Sequence, residues 1–427
     1  MQRISTAVLV ILSLSATAGL HAGDQAGDKT PGAVQVSAAD WPWWRGPNRD
    51  GLADPDQDPP LSWSETENVL WKTEVPGRGH SSPIVLGDQV FLTTADESRD
   101  LQSVLAYDRK TGKLRWEKVV HRGGIMKGNK KASQASSSVA SDGERIFVNF
   151  LNAGAVSTTA LDLKGNQLWQ TKITDYTVHQ GYGSSPAVYE SLVIVSADNK
   201  GGGAIAGLNR ATGDVVWRIS RPKKPNYASP VILKAAGRDQ LVFTGCDLVT
   251  SLDPKTGKSL WEVPGATTEC VTSTITQKGL IFTSGGYPKN HVSAVRADGS
   301  GETAWELNVR VYVPSMLSRD GKLLAVTDGG VAMYWDAATG EEIWKHRLGG
   351  TFTASPVLVG DLLFATNEAG KTFVLKISKA GVEEISENQL GEEVFATPTY
   401  CGNRIYMRLA KRTGEERREM LYCLGKK

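Results

Sequence analysis

The stretch Ala106-Tyr107-Asp108-Arg109-Lys110-Thr111-Gly112-Lys113-Leu114-Arg115-Trp116 decides how this chain is read. An apolar strand ends at an Asp, a Thr-Gly turn reverses the chain, and a Trp follows shortly after. The Asp carboxylate can close the turn on its own backbone, Gly can take the positive φ of the reversal, and Trp offers a large face to a neighbour. The unit returns at Asp162 to Trp169, Asn209 to Trp217, Asp253 to Trp261, Asp298 to Trp305 and Asp336 to Trp344, each with a Gly in its turn. The next copy is degenerate, with Ile385 where Trp is expected. Recurrence at one turn position reads these acids as structural rather than catalytic.

A second marker, a small-residue doublet leading into a short apolar strand, begins each copy. It stands at Ser82-Pro83, Ser137-Ser138, Ser185-Pro186, Ser229-Pro230, Ser273-Thr274, Ser315-Met316, Ser355-Pro356 and Thr397-Pro398. These eight copies lie 40 to 55 residues apart, the length of a four-stranded blade. The fold class is therefore all-β: an eight-bladed β-propeller of four-stranded antiparallel blades. Its last copy runs out at Met420–Leu424, before a Trp strand. Asn68 to Val75 supplies the missing match, because Trp71 stands 12 residues before Pro83, as Trp344 does before Pro356. The ring is expected to close by pairing N- and C-terminal strands, which leaves no open sheet edge. Abundant Gly (45) and Trp (12) suit short strands and tight turns, and a formal charge of +2 over 427 residues gives no reason to expect nucleic acid as a partner.

Ahead of the ring, Met1-Gln2-Arg3, an apolar run to about Leu14 and the small residues around Ala16-Thr17-Ala18 read as a secretory signal, cleaved after Ala18 or Ala22. The expected organisation is a signal peptide (1–22), a disordered leader (23–40), a Trp/Pro-rich extension (41–68) and the propeller (69–427). The mature protein is expected in the periplasm or secreted, as a monomer with no membrane-spanning segment. No Cys precedes Cys246, so a lipid-bearing N-terminal Cys is not expected.

Motifs for chemistry are sparse. His80, His121, His179, His291 and His346 are scattered, without metal-ligand spacing. Gly257-Lys258-Ser259 and Gly370-Lys371-Thr372 lack the first glycine of a phosphate loop. Asp54, Asp56, Asp58 and Glu65 have the spacing of calcium ligands, but Pro59 occupies the position that needs glycine, so a solvated acidic loop is expected and no metal. The repeat frame instead gathers a polar-aromatic ring at one mouth of the central channel. It contains Arg78 and His80, the basic insertion with Lys127, Lys130 and Lys131, His179 to Tyr182, Asn226 and Tyr227, Glu269, Tyr312, Phe352 and Phe395, joined by Asp198 and Asn199 from a strand-connecting loop. Such a composition suits recognition. Cys246 and Cys270 fall on this face in adjoining blades and are expected to form a disulfide in an oxidising compartment.

The Ala106-to-Trp116 turn resembles the repeat of pyrroloquinoline-quinone (PQQ) dehydrogenases and of the outer-membrane β-barrel assembly factor B (BamB-like) family. Trp41-Pro-Trp-Trp44-Arg-Gly-Pro47-Asn-Arg-Asp50-Gly51 is similar to the opening of exported bacterial PQQ-like propellers. The resemblance spans residues 41–427 and implies the propeller fold. It also implies two functions: a non-catalytic binding or assembly scaffold in the cell envelope, taking an envelope protein or surface ligand at the channel face, or a PQQ-dependent dehydrogenase using PQQ with calcium. The dehydrogenases cap their quinone with two adjacent cysteines, and this chain has none. The scaffold is the leading expectation, with no cofactor.

Overall fold

The computed structural model describes Val34, Ser37 and residues 39–427 except Glu415, so the expected signal peptide and most of the expected leader lie outside the described residues. Every regular element among them is a strand. Blade 1 sets the pattern: Ile84–Leu86, Gln89–Asp96, Leu101–Asp108 and Leu114–Arg122, each antiparallel to the next. Its two middle strands are buried almost throughout, whereas the outermost strand has no buried residue. Blades pack on both faces of the middle strands, so these read as continuous apolar runs rather than alternating ones. Eight such sheets form the ring.

The eighth blade joins the two ends of the chain. Val69–Val75 lies antiparallel to Glu416–Leu424, with Trp71 opposite Cys423 and Val75 opposite Glu419. The expected closure is thus formed. A buried ion pair fastens this blade to the first: Arg408 Nε donates to Glu419 Oε2 at 2.6 Å, and Arg408 Nη1 donates to Thr93 O and Ser81 Oγ in blade 1.

The turn motif works as its chemistry suggests. Asp108 Oδ1 accepts the Thr111 N–H at 2.8 Å, and Gly112 sits at φ 72°. Glycine has a second reason to be there: a Cβ on Gly112 would lie 2.4 Å from the Trp71 ring. The indole of one blade lies against the turn glycine of the next and donates its N–H to that turn, as in Trp116 to Leu163 O at 3.1 Å. Where Ile385 replaces Trp, the N-terminal segment compensates. Trp63 N donates to Asn388 Oδ1 at 2.9 Å, and the buried Trp63 side chain joins the core cluster against which Ile385 packs.

The innermost strands meet around the channel through the repeated doublet. Ser82 N donates to Ser138 Oγ (2.8 Å), Ser138 N to Ser185 Oγ and Ser185 N to Ser229 Oγ. On the far side Ser273, Ser315 and Ser355 continue the series to Thr397 Oγ1. Below this hydroxyl ring the segment from Trp41 onward closes the channel. Trp41 bridges Val85 in blade 1, Pro42 O accepts from Ser141 N in blade 2, and Arg49 Nη2 donates to Val188 O in blade 3. Trp44 Nε1 reaches Ser273 Oγ in blade 5, Leu52–Ala53 runs parallel to blade 7, and Gln57 Nε2 reaches Tyr400 O in blade 8. This segment is a plug.

Candidate functional site

The plug converts the channel into a blind funnel of about 420 Å³ that opens at the face carrying the blade-entry loops. Trp44 lies at its base, with Ser82, Ser138, Ser185, Ser229, Ser355 and Thr397 around it. His80, Tyr182, Tyr227, Tyr312 and Phe395 form the wall. Size and lining fall within the range of small-ligand pockets.

Each wall residue has a different electrostatic character. The His80 ring packs on Phe395, centroids 4.5 Å apart, while its Nε2 is buried without a partner. Burial first, then the cations Arg78, Arg408 and Arg417, hold His80 well below the usual histidine range, so the ring is neutral at physiological pH. Tyr227 presents a buried hydroxyl that has no partner at hydrogen-bond distance, with the Gln180 backbone nearby. Burial and the neighbouring Glu269 carboxylate raise its pKa, keeping it a phenol. Tyr182, in contrast, donates to Ser196 O at 2.9 Å and stands edge-on to Tyr176. Tyr312 donates to Glu269 Oε2 at 3.4 Å, and His179 Nε2 meets the other oxygen of that carboxylate at 3.1 Å.

The basic insertion crosses the mouth as a strap. Asn129 N donates to Gln180 O at 2.6 Å, and Lys131 Nζ pairs with Glu368 at 3.0 Å, tying the blade 1–2 connection to blade 7. Lys131 lines the funnel; Lys127 and Lys130 are exposed outside it.

Some expected site residues serve other ends. Asp198 is buried in an ion pair with Arg221 (3.1 Å) and accepts from Asn226, so neither Asp198 nor Asn226 reaches the lining. Asn199 spends its amide on its own loop and on the end of blade 2, accepting from Gly201 N and donating to Ala197 O and Asp175 O. Phe352 is core. The expected Cys246–Cys270 disulfide is not formed, and all four cysteines are free and buried. Cys246 occupies a left-handed backbone position (φ 59°) with its thiol against Asp198 and Lys224 O, whereas the Cys270 thiol meets Thr244 and Thr267. Sequence reasoning did not assign two parts of the lining to the site: Trp44, whose place depends on the path of the plug, and the doublet hydroxyls, whose recurrence is the available signal.

PQQ is a planar tricarboxylate and, with calcium, needs cationic partners and several oxygen ligands together. The aromatic wall suits a planar group, but the charged lining side chain is Lys131, already held by Glu368. Glu269 is engaged by His179 and Tyr312. Among the described residues no three His, Cys, Asp or Glu side chains gather to hold an ion, and the spaced acids Asp58 and Glu65 pair with Lys426 and with Lys72 and Lys411. The residues present do not fit quinone and metal together.

Comparison with known proteins places the chain. A tetrathionate hydrolase of Acidithiobacillus ferrooxidans is 24% identical over 390 residues, covering 80% of this chain and 74% of that protein. The outer membrane protein assembly factor BamB of Burkholderia pseudomallei is 25% identical over 351 residues, covering 79% and 84%. Among solved structures, a europium-containing methanol dehydrogenase superposes with a TM-score of 0.65 at 12% identity, covering 88% of this chain and 90% of that one; this likeness concerns the fold alone. The family model described as outer membrane protein assembly factor BamB matches residues 60–180, 102–286 and 288–382, which is most of the propeller. The chain belongs to that family of PQQ-like β-propellers.

Proposed function

We propose that this protein is a non-catalytic binding scaffold of the cell envelope, exported to the periplasm or secreted, that takes an envelope protein or surface ligand at the funnel mouth. The observation that carries the reading is the funnel itself: an aromatic cavity whose wall holds two buried polar atoms without partners, His80 Nε2 and Tyr227 OH. Unpaired buried polar groups cost about 1–3 kcal/mol each, a cost that a ligand filling the cavity can recover. The name of the Burkholderia relative, an assembly factor, supports the same reading.

The test is capture from the native envelope by the immobilised mature chain, compared with Tyr227→Ala combined with Lys131→Ala at the mouth and with Lys110→Ala on an opposite-face turn. A partner retained by the parent and the turn variant but lost by the mouth variant is the expected result. Equal retention by all three moves the surface elsewhere. Stoichiometric retention of PQQ with calcium, together with substrate-dependent dye reduction, replaces the scaffold with an enzyme.

A further inference from the structure

The funnel keeps its polar and its apolar surface apart. Its base is a ring of hydroxyls: Ser138, Ser185, Ser229, Ser355 and Thr397 line the cavity, and each accepts the N–H of a neighbouring blade through its side-chain oxygen. Among the described residues none of these five meets an acceptor for its own proton. The wall is carbon. Trp44, Tyr182 and Tyr312 spend their polar tips on Ser273 Oγ, Ser196 O and Glu269 Oε2, so these rings, with Phe395, offer the cavity their faces and edges. Toward the rim the Tyr227 hydroxyl has no partner. Asn129 Nδ2 donates to Gln180 Oε1 at 2.8 Å, and Gln180 Nε2 meets no acceptor among the described residues.

This lining rejects most kinds of ligand. Lys131 is its charged side chain and is held by Glu368 at 3.0 Å, while His80 stays neutral. An ionic ligand would give up its hydration for a cavity with no free counter-charge. A wholly apolar ligand would cover the hydroxyl ring and strand its protons. Water meets the hydroxyls but leaves the aromatic wall wet. A neutral molecule whose hydroxyls both donate and accept, and whose C–H faces lie flat on aromatic rings, satisfies the base and dries the wall.

We propose that the funnel binds a neutral saccharide, its hydroxyls meeting the serine and threonine ring and Tyr227, its C–H faces lying on Trp44 and the tyrosines. The scaffold reading, on which this rests, thereby gains its surface ligand. A cavity of about 420 Å³ takes about one or two sugar rings. The plug closes the channel beneath them, so a glycan enters by its end and not along its length.

Calorimetric titration and thermal melts of the mature chain test this, with glucose, galactose, mannose, rhamnose and N-acetylglucosamine and with cello- and malto-oligosaccharides of increasing length. At least one sugar is expected to bind and, at a hundredfold excess over its dissociation constant, to raise Tm by about 3 °C. Affinity should rise from the first ring to the second, then level off, and should not change with salt. Tyr227→Phe removes a hydroxyl that has no partner in the protein, so it should fold and bind the sugar at least fivefold more weakly. No heat and no Tm shift with any of these sugars overturns the proposal. If capture of an envelope protein at the mouth persists in that case, the scaffold reading survives with a protein as its ligand; if capture is absent too, both fall. Equal sugar binding by Tyr227→Phe and the parent puts the sugar outside the funnel, affinity that grows with every added ring means an open groove, and affinity that fades with salt means an ionic ligand; each of these also overturns the proposal.

Discussion

Aromatic side chains at the blade seams and at the funnel mouth handle their polar atoms differently. At the seams Trp71, Trp116, Trp169, Trp217, Trp305 and Trp344 donate to the turn of the next blade, and Trp261 donates to Gln240 Oε1. At the mouth the Tyr227 hydroxyl and His80 Nε2 are buried with nothing to bond. The first arrangement serves stability, since each of these seven indoles contributes area and a satisfied N–H, whereas Trp63, which covers the Ile385 seam, keeps its Nε1 buried without a partner. The second costs stability, which under the proposed function is the cost of recognition.

The seam that joins the chain ends should matter most. Ending the chain after Lys411 removes Glu416–Leu424, leaving Val69–Val75 unpaired and Arg408 without Glu419. Loss of the whole cooperative transition is expected in thermal and urea unfolding. A cooperative melt within a few degrees of the parent would show that closure is dispensable. A smaller blow to the same seam is Arg408→Met, which takes one of two guanidinium partners from the buried Glu419 and leaves it Arg417 and Gly79 N. Because one cation remains, the cost should fall below the roughly 3–5 kcal/mol of an uncompensated buried charge, readable from the urea midpoint.

This seam is also where the sequence was most legible. Trp71 and Trp344 keep the same distance to the following proline, and that spacing alone places the closing strand. Periodic features of this kind are legible in one sequence because every copy repeats the same signal. The funnel is less regular. Trp44 is brought to its base by hydrogen bonds from one short segment to most of the ring, and nothing repeats to announce them. Asp198-Asn199, with glycines from Gly201, reads as an exposed polar loop, and its burial is explained by partners outside the loop, Arg221 and Asn226 for Asp198 and Asp175 O for Asn199. The cysteine expectation placed both residues on adjoining blades but could not read the left-handed backbone at Cys246 that directs its thiol elsewhere.

Acid should act on the wall behind the funnel. His291 is 3% exposed with both ring nitrogens unpaired, and burial lowers its pKa to about 4. Its folded pKa lies below the unfolded value of about 6.5. As pH falls through that window the unfolded chain takes up a proton that the folded chain refuses. The stability present above about pH 6.5 is therefore lost down to about pH 4, by roughly 3 kcal/mol for this group. His80 acts in the same direction. Urea unfolding at pH 7.5 and 4.5 should show a pH-dependent loss about 2–3 kcal/mol smaller in His291→Leu than in the parent. Identical losses would mean that His291 is protonated in the fold.

The smallest effect tests the comparison most directly, because it sets two tyrosines of one cavity against each other. Tyr182 and Tyr227 both line the funnel, but the Tyr182 hydroxyl donates to Ser196 O while that of Tyr227 has no partner. Replacing each with Phe removes one oxygen and keeps the ring. For Tyr182→Phe a satisfied bond is lost and Ser196 O is left short of a donor, so the free protein should lose about 1 kcal/mol. For Tyr227→Phe the lost oxygen was an unpaid desolvation cost, so the free protein should gain about 1 kcal/mol. Binding should show the opposite preference at Tyr227: a ligand that completes its hydroxyl forfeits about 1–3 kcal/mol with Phe, at least a fivefold weaker dissociation constant. Measuring both variants with and without the captured partner separates the cases. Opposite stability shifts with weaker capture by Tyr227→Phe sustain the view that the mouth holds polar atoms open for a ligand. Destabilisation of both variants by the same amount, with capture unchanged at Tyr227→Phe, would mean that the mouth is packed by the same rule as the seams.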